Sequence, residues 1–218
     1  MASPVSSLAV DPVSTPTLLA SVVTDAMSWL EDFSSQWYFL VIIFVIALLD
    51  SVFPVVPSET MVIIGGVAAG VGEQPLLLVI IAGAVGAALG DNAAYLIGAR
   101  LSGVVTRRAE RSSKLAARRE WADTQIARRG GPLLVTARFI PGGRTALTVS
   151  CGVTRQPHAW FVGWVLVAVS IWATYAAVLG YVFGETFDHT TALILAFVAA
   201  LAVNGAIELI RHLRARSD

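Results

Sequence analysis

The chain has 218 residues, of which 15 are basic and 15 acidic, so its formal net charge is zero. Hydrophobic residues make up 56% of the chain and charged residues only 14%, which excludes an ordinary soluble domain. The single cysteine, Cys151, excludes an internal disulfide, and no Cys/His cluster of the metal-binding kind is present. We therefore expect an integral membrane protein that carries neither a metal nor a cofactor.

The N-terminal region predicts a tail, a surface helix and then the membrane domain. Residues 1–16 are rich in Ser, Pro, Val and Thr, which is typical of a disordered tail. Residues 17–32 place apolar side chains at helical spacing among three acidic residues, which favours an interfacial amphipathic helix. A frayed extension of the first span is the alternative. The membrane domain then covers 33–214, and its first span is predicted at 36–56.

The next apolar segment is too short to cross the membrane. Between Pro57 and Gly72 it falls well below the roughly 20 residues that a transmembrane helix needs, and Pro57 and the pair Gly65-Gly66 interrupt it. We therefore predict a re-entrant helical hairpin near 53–72. Residues 75–99, in contrast, are long enough to span the bilayer.

The basic residues fix the predicted orientation. Nine of the fifteen lie in the arginine-rich segment 100–130, and three more are at the C-terminal end. Positively charged segments stay in the cytoplasm, so both regions are expected there. Residues 157–184 and 189–210 are two further predicted spans.

The apolar segment 131–153 contains the motif RFIPGGR. Three apolar segments separate the two cytoplasmic regions, so one of them must enter and leave by the same face. The segment with two arginines and a Pro-Gly-Gly break is the candidate, because irregular backbone at membrane depth is tolerated only inside protein or beside water. The predicted fold is all-α and membrane-integral, with about four transmembrane helices and two re-entrant hairpins in an inverted repeat. Both termini are predicted to be cytoplasmic.

Ionisable side chains at membrane depth are the candidate functional residues. Each costs about 2.5–3.5 kcal/mol to insert, so such side chains face a protein interior or a wet cavity. Five residues are in this position: Asp50, Glu59, Asp91, Arg138 and Arg144.

RFIPGGR predicts a phosphate-binding site. Arg138 and Arg144 stay cationic, and their planar guanidinium groups suit carboxylate or phosphate. The turn with Gly142 and Gly143 precedes a helix that we expect to begin near Arg144, whose free amides add positive partial charge.

The acidic residues have two interpretations. Burial would make Asp50 or Glu59 a proton carrier, whereas an acid in a first helical turn is also simply favourable there. A further alternative is that the two arginines only pair with Asp50 and Glu59. The additional site candidates are Asp91, Ser58 and Thr145.

Three segments together resemble the DedA family, also described as SNARE-associated Golgi or VTT-domain membrane proteins. These segments are LLDSVFPVVPSETMVIIGG, GDNAAYLIGARLSG and ARFIPGGRTALTVSCGV, and the similarity covers roughly residues 36–185. The resemblance implies roles in membrane homeostasis, proton-motive-force dependence and recycling of polyprenyl-phosphate carriers, or phospholipid scrambling in eukaryotic relatives. It also implies an acidic pair, Asp50 and Glu59, and an arginine pair, Arg138 and Arg144.

We therefore expect a multi-pass inner (plasma) membrane protein that flips polyprenyl phosphate or another anionic lipid, with possible proton coupling. The alternatives are a proton-coupled exporter of small cations or drugs, a phospholipid scramblase or a scaffold. A lipid phosphatase is disfavoured because no histidine lies near RFIPGGR, so we expect no enzyme activity. Segment 107–129 has a single aromatic residue, Trp121, and no aromatic residues interleaved with its arginines, which favours lipid headgroups over nucleic acid as its partner. The spacing of Gly86 and Gly90 would serve packing within one subunit or in a homo-oligomer.

Overall fold

The computed structural model of the chain describes residues 25, 28–30, 33–53, 57–109, 130–138 and 143–187, together with isolated positions in the remaining segments. The described residues form helices and turns without a β-strand. The helices are α1 (Tyr38–Val52), α2 (Ser58–Gly70), α3 (Leu76–Ala109), α4 (Pro132–Ala137), α5 (Gly143–Val153) and α6 (His158–Thr186). The predicted all-α class is therefore confirmed for this part of the chain.

Two helices are long and apolar enough to cross a membrane. They are Leu76–Arg107 within α3, with a mean hydropathy of 1.9, and α6, with a mean hydropathy of 2.0. The 15-residue α1 follows the described residues of Ser28–Ser35 at an angle of 93°, and this bent pair would be a third span. The protein is thus a membrane protein with two or three candidate spans.

Several predicted segments lie wholly or largely outside the described residues. These are the tail 1–16, most of the helix 17–32, most of the segment 110–129 and the span 189–210. The predicted count of four spans and the positions of both termini therefore stay predictions. Within the described part, α3 is longer than expected, because it continues past residue 99 into the arginine-rich segment and ends at Ala109.

The first predicted hairpin segment contains one continuous helix. The prediction that Gly65-Gly66 interrupts it was wrong, since α2 runs unbroken from Ser58 to Gly70. A β-carbon at Gly66 would lie 2.2 Å from the carbonyl oxygen of Ala177, so the missing side chain lets α2 and α6 touch backbone to backbone. This contact offsets the cost of glycine in a helix, about 1 kcal/mol per residue.

The second predicted hairpin segment is interrupted as expected. Helix α4 ends at Ala137 with Arg138 as its C-cap, and α5 begins at Gly143, which confirms the helix start predicted near Arg144. Residues 139–142 lie outside the described part of the chain. At 1.5 Å per residue, α2 and α5 are about 20 and 17 Å long, shorter than the roughly 30 Å hydrocarbon core. Their entry from opposite faces stays a prediction.

Each short helix packs on the long helix of the other half of the chain. Helix α2 packs on α6, and α5 packs on α3. Glycines permit both contacts: a β-carbon at Gly180 would lie 2.1 Å from the Ile63 oxygen, and one at Gly152 would lie 2.0 Å from the Tyr95 oxygen. The inverted repeat itself stays a prediction. The crossed packing brings the N-terminal ends of α2 and α5 toward the same place, where the polar residues meet.

Candidate functional site

Arg138 and Asp91 form a buried ion pair. Arg138 ends α4, and Asp91 lies within α3. Nη1 and Nη2 of Arg138 donate to Oδ2 of Asp91 at 3.1 and 3.0 Å, and the two side chains are only 2% and 3% exposed. The guanidinium also lies 5.3 Å from the ring centroid of Trp172, a cation–π contact. Burial to this degree is tolerated because the opposite charge is directly bonded.

Arg144 forms an ion pair with Asp50 and also lies close to Asp91. Its Nη2 lies 3.1 Å from Oδ2 of Asp50 and donates to the Asp50 backbone oxygen at 2.6 Å. Its Nε lies 3.8 Å from Oδ1 of Asp91. Asp91 therefore lies between both guanidinium groups, and the arginine pair predicted from the sequence is brought together.

Asp50 connects the first turns of the two short helices. Its Oδ2 accepts a hydrogen bond from Oγ of Ser58, the first residue of α2. The same oxygen forms the ion pair with Arg144, which lies in the first turn of α5. Thr145 adds a second link, since its Oγ1 donates to the Ser51 backbone oxygen at 3.3 Å. The predicted additional members Ser58 and Thr145 thus hold α2 and α5 against the end of α1.

Glu59 stands apart from the ion pairs. It is half-buried next to Ser58, close enough to Asp50 for the two carboxylates to repel each other. Among the described residues it forms no hydrogen bond and no ion pair. The alternative in which the two arginines pair with Asp50 and Glu59 therefore holds for one pair only. Arg144 pairs with Asp50, but Arg138 pairs with Asp91 and not with Glu59.

The interruption between α4 and α5 supplies further polar groups. Gly143 is the first residue of α5, whose opening amides lack partners within the helix, while Gly142 lies outside the described residues. Two buried side-chain atoms, Oδ1 of Asp91 and Nε of Arg138, form no hydrogen bond within the described structure. Buried polar atoms nearly always have partners, so these two mark unused binding capacity in the cluster.

Comparison with known proteins places the chain in a family. The VTT domain model matches residues 56–182, more than half of the chain. The chain belongs to the VTT-domain (DedA) family. It is 28% identical over 162 residues to an uncharacterized membrane protein of Synechocystis, covering 73% of each chain. It is 26% identical over 206 residues to one of Mycobacterium tuberculosis, covering 90% of each, and 25% identical to Protein DedA of Escherichia coli, covering 74% of this chain and 76% of that one. No solved structure matches.

The match to the VTT domain contains most of the polar cluster but not all of it. Glu59, Asp91, Arg138 and Arg144 lie inside the matched range, whereas Asp50 precedes its first residue. Asp50 nevertheless bonds to Arg144 and Ser58, both inside the range. The polar cluster of this VTT-domain protein therefore extends to the end of α1.

Sequence reasoning underrated Asp91. The motif GDNAAY places this acid in the middle of a helix otherwise lined by Gly and Ala, and that isolation among apolar residues was the available signal. The sequence could not show that Asp91 pairs with Arg138. The two residues are 47 positions apart, and their contact depends on how α4 lies against α3. The contact of the Arg138 guanidinium with Trp172 of α6 likewise depends on how the helices pack.

Proposed function

We propose that this VTT-domain protein moves the phosphate headgroup of a lipid, with polyprenyl phosphate as its substrate, from the outer to the cytoplasmic leaflet of the inner membrane. The observation that supports this proposal is the convergence of Arg138 and Arg144 on one buried carboxylate, Asp91. Two guanidinium groups beside the N-terminus of α5 provide charge and directed donors for a phosphate.

In the proposed cycle, carboxylates hold the arginines until a phosphate replaces them. Asp91 and Asp50 satisfy Arg138 and Arg144 in the structure, so neither cation is buried without a counter-charge. A lipid phosphate carries more acceptor oxygens than a carboxylate, so it can accept hydrogen bonds from both guanidinium groups at once. The Nε of Arg138, which has no hydrogen-bond partner among the described residues, offers one more donor to the incoming group.

In this proposal Glu59 carries the proton, because of the net charge of the cluster. The cluster holds three carboxylates, on Asp50, Glu59 and Asp91, and two guanidinium groups, so its net charge is −1 when all five are ionised. Protonation of Glu59 brings the cluster to neutrality without breaking either ion pair, because Glu59 takes part in neither within the described structure. A neutral cluster repels an incoming phosphate less.

A headgroup-accessibility assay in proteoliposomes tests the proposal. Purified full-length protein is reconstituted with a labelled polyprenyl phosphate or with labelled phosphatidylcholine, with and without a pH gradient. We expect the polyprenyl phosphate headgroup to change leaflet faster than in protein-free liposomes and phosphatidylcholine to stay at the background rate. Equal rates for both lipids would instead indicate a scramblase, and background rates for both would contradict lipid transport.

Glu59 forms no ion pair with the described residues, which favours one competing function, the proton-coupled export of a small cation. A carboxylate that lacks a cationic partner among the described residues is a natural binding group for an amine or a metal cation. The two arginines would then be structural. Cation flux that needs Glu59 but proceeds without lipid movement would support the exporter over the lipid transporter.

A further inference from the structure

A second basic site lies away from the polar cluster, where α3 and the α5–α6 turn meet. A cleft of about 490 Å³ opens there, lined by Tyr95, Leu96, Ala99, Arg100 and Arg155. Arg100 and Arg155 are exposed, and neither forms an ion pair with any residue that the structure describes. The cleft therefore presents two cations that have no counter-charge among the residues that the structure describes.

Arg155 has a left-handed backbone conformation, which glycine adopts more easily than a residue with a side chain. Helix α5 ends in two hydrogen bonds, from the Arg155 amide to the Gly152 oxygen and from the Gln156 amide to the Cys151 oxygen. This closure puts Arg155 in the left-handed region with a φ of 54°. Glycine is the usual residue at such a position, because it lacks the β-carbon that is crowded there. Strain retained at a surface cation is a reason to look for its function.

Hydrogen bonds and a ring contact join the walls of the cleft to each other. The Tyr95 hydroxyl donates to the Gln156 oxygen at 2.5 Å, and Ser102 Oγ donates to the Val153 oxygen at 2.7 Å. The Tyr95 ring also stacks on Phe161 with a centroid separation of 4.7 Å. The turn that carries Arg155 is thus fastened to α3, which carries Arg100, so both cations belong to one preorganised surface.

We propose that the Arg100–Arg155 cleft binds the phosphate group of an anionic membrane lipid. It lies near the C-terminal end of the apolar stretch Leu76–Arg107, where exposed Leu96 and Leu101 offer an apolar surface to an acyl chain. Guanidinium groups next to such a surface recognise a lipid phosphate by charge and hydrogen bonding. The proposal is independent of lipid transport, because Arg138 and Arg144 do not line this cleft.

Lipid binding to the purified full-length protein tests this site. The detergent-solubilised protein is titrated with phosphatidylglycerol, and 1:1 complexes are counted by native mass spectrometry. The test variants are Arg100→Gln, Arg155→Gly and the double variant. Arg155→Gly removes the cation but suits the left-handed backbone, so we expect its melting temperature to equal or exceed that of the parent protein. Glu185→Gln is the control, an exposed charged residue of α6 outside the cleft.

We expect the double variant to bind phosphatidylglycerol at least about tenfold more weakly, a loss typical of removed charge-assisted contacts, while Glu185→Gln stays near the parent affinity. Phosphatidylcholine should bind weakly to every variant. Unchanged binding by a folded double variant, or an equal loss in Glu185→Gln, would overturn the proposal. Displacement of the lipid by an equimolar amount of inorganic phosphate would also overturn it, because the site would then recognise a soluble anion.

Discussion

Asp91 accepts two hydrogen bonds from Arg138 through Oδ2, while its Oδ1 lies 3.8 Å from Nε of Arg144. One carboxylate of α3 therefore faces both arginines, one on each side of the interruption between α4 and α5. Any ligand that takes the arginines must compete with this carboxylate. Asp91 is thereby expected to influence both the stability of the protein and its affinity for anions.

Replacing Asp91 should destabilise the fold, because Arg138 would keep its charge in a place where its side chain is 2% exposed. For Asp91→Asn we expect a loss of about 3–5 kcal/mol in the free energy of unfolding, typical of breaking a buried ion pair from one side. Thermal or denaturant unfolding of the purified protein in detergent measures this loss.

The double variant Asp91→Asn/Arg138→Met serves as the control for that loss. Removing both charges leaves no unpaired ion, so we expect the double variant to recover most of the stability lost by Asp91→Asn. Strictly additive losses from the two single changes would mean that the pair contributes no coupling energy, and would contradict the ion-pair assignment.

Glu59 should be dispensable for stability but needed for coupling to protons. Glu59→Gln breaks no ion pair or hydrogen bond among the described residues, so we expect an unfolding free energy within about 0.5 kcal/mol of the parent. The fixed neutral side chain should make headgroup movement in proteoliposomes insensitive to an imposed pH gradient. Asp50→Asn, which weakens the links to Arg144 and Ser58, is the contrasting variant and should lower stability. A full response of Glu59→Gln to the gradient would exclude Glu59 as the proton carrier.

The contact between α2 and α6 should depend on the missing side chain at Gly66. Gly66→Ala would place a β-carbon 2.2 Å from the Ala177 oxygen, and backbone cannot move aside as a flexible side chain can. We expect a destabilisation of about 1–3 kcal/mol from the overpacked interface. The control is Gly163→Ala in α6, where nothing lies within 4 Å of the added carbon and alanine favours the helix by up to about 1 kcal/mol. Equal melting temperatures for the two variants would refute the close contact.

The sequence could predict most of the site because its chemistry is unusual for a membrane. Arg138, Arg144 and Asp50 carry charges inside apolar segments, and such charges must meet. The helix start at Gly143 was also readable, since Pro141-Gly142-Gly143 cannot continue a helix easily. Which acid meets which arginine was not readable, because it depends on the packing of α4 and α5 on α3.

The failed prediction at Gly65-Gly66 has the opposite cause. Local propensity disfavours two glycines inside a helix, and the sequence alone suggested a break. The helix persists because Ala177 of α6 packs against Gly66, while Ile43 of α1 and Val79 of α3 pack against Gly65, which is tertiary information. Likewise, α3 continues past residue 99 through Gly103 and the β-branched residues Val104, Val105 and Thr106, which are weak helix formers. The hydrogen bond from Ser102 Oγ to the Val153 oxygen ties this extension to α5, which is again tertiary information.

The central claim is that Arg144, together with Arg138, binds the phosphate of a lipid substrate. Headgroup translocation by the Arg144→Gln variant tests this claim most directly. The variant is compared with the parent protein and with Arg107→Gln, which removes an exposed arginine outside the cluster. Monodisperse purification and reconstitution confirm that each protein inserts. The account predicts that Arg144→Gln moves polyprenyl phosphate no faster than protein-free liposomes while Arg107→Gln keeps the parent rate. A parent-like rate for Arg144→Gln would contradict it.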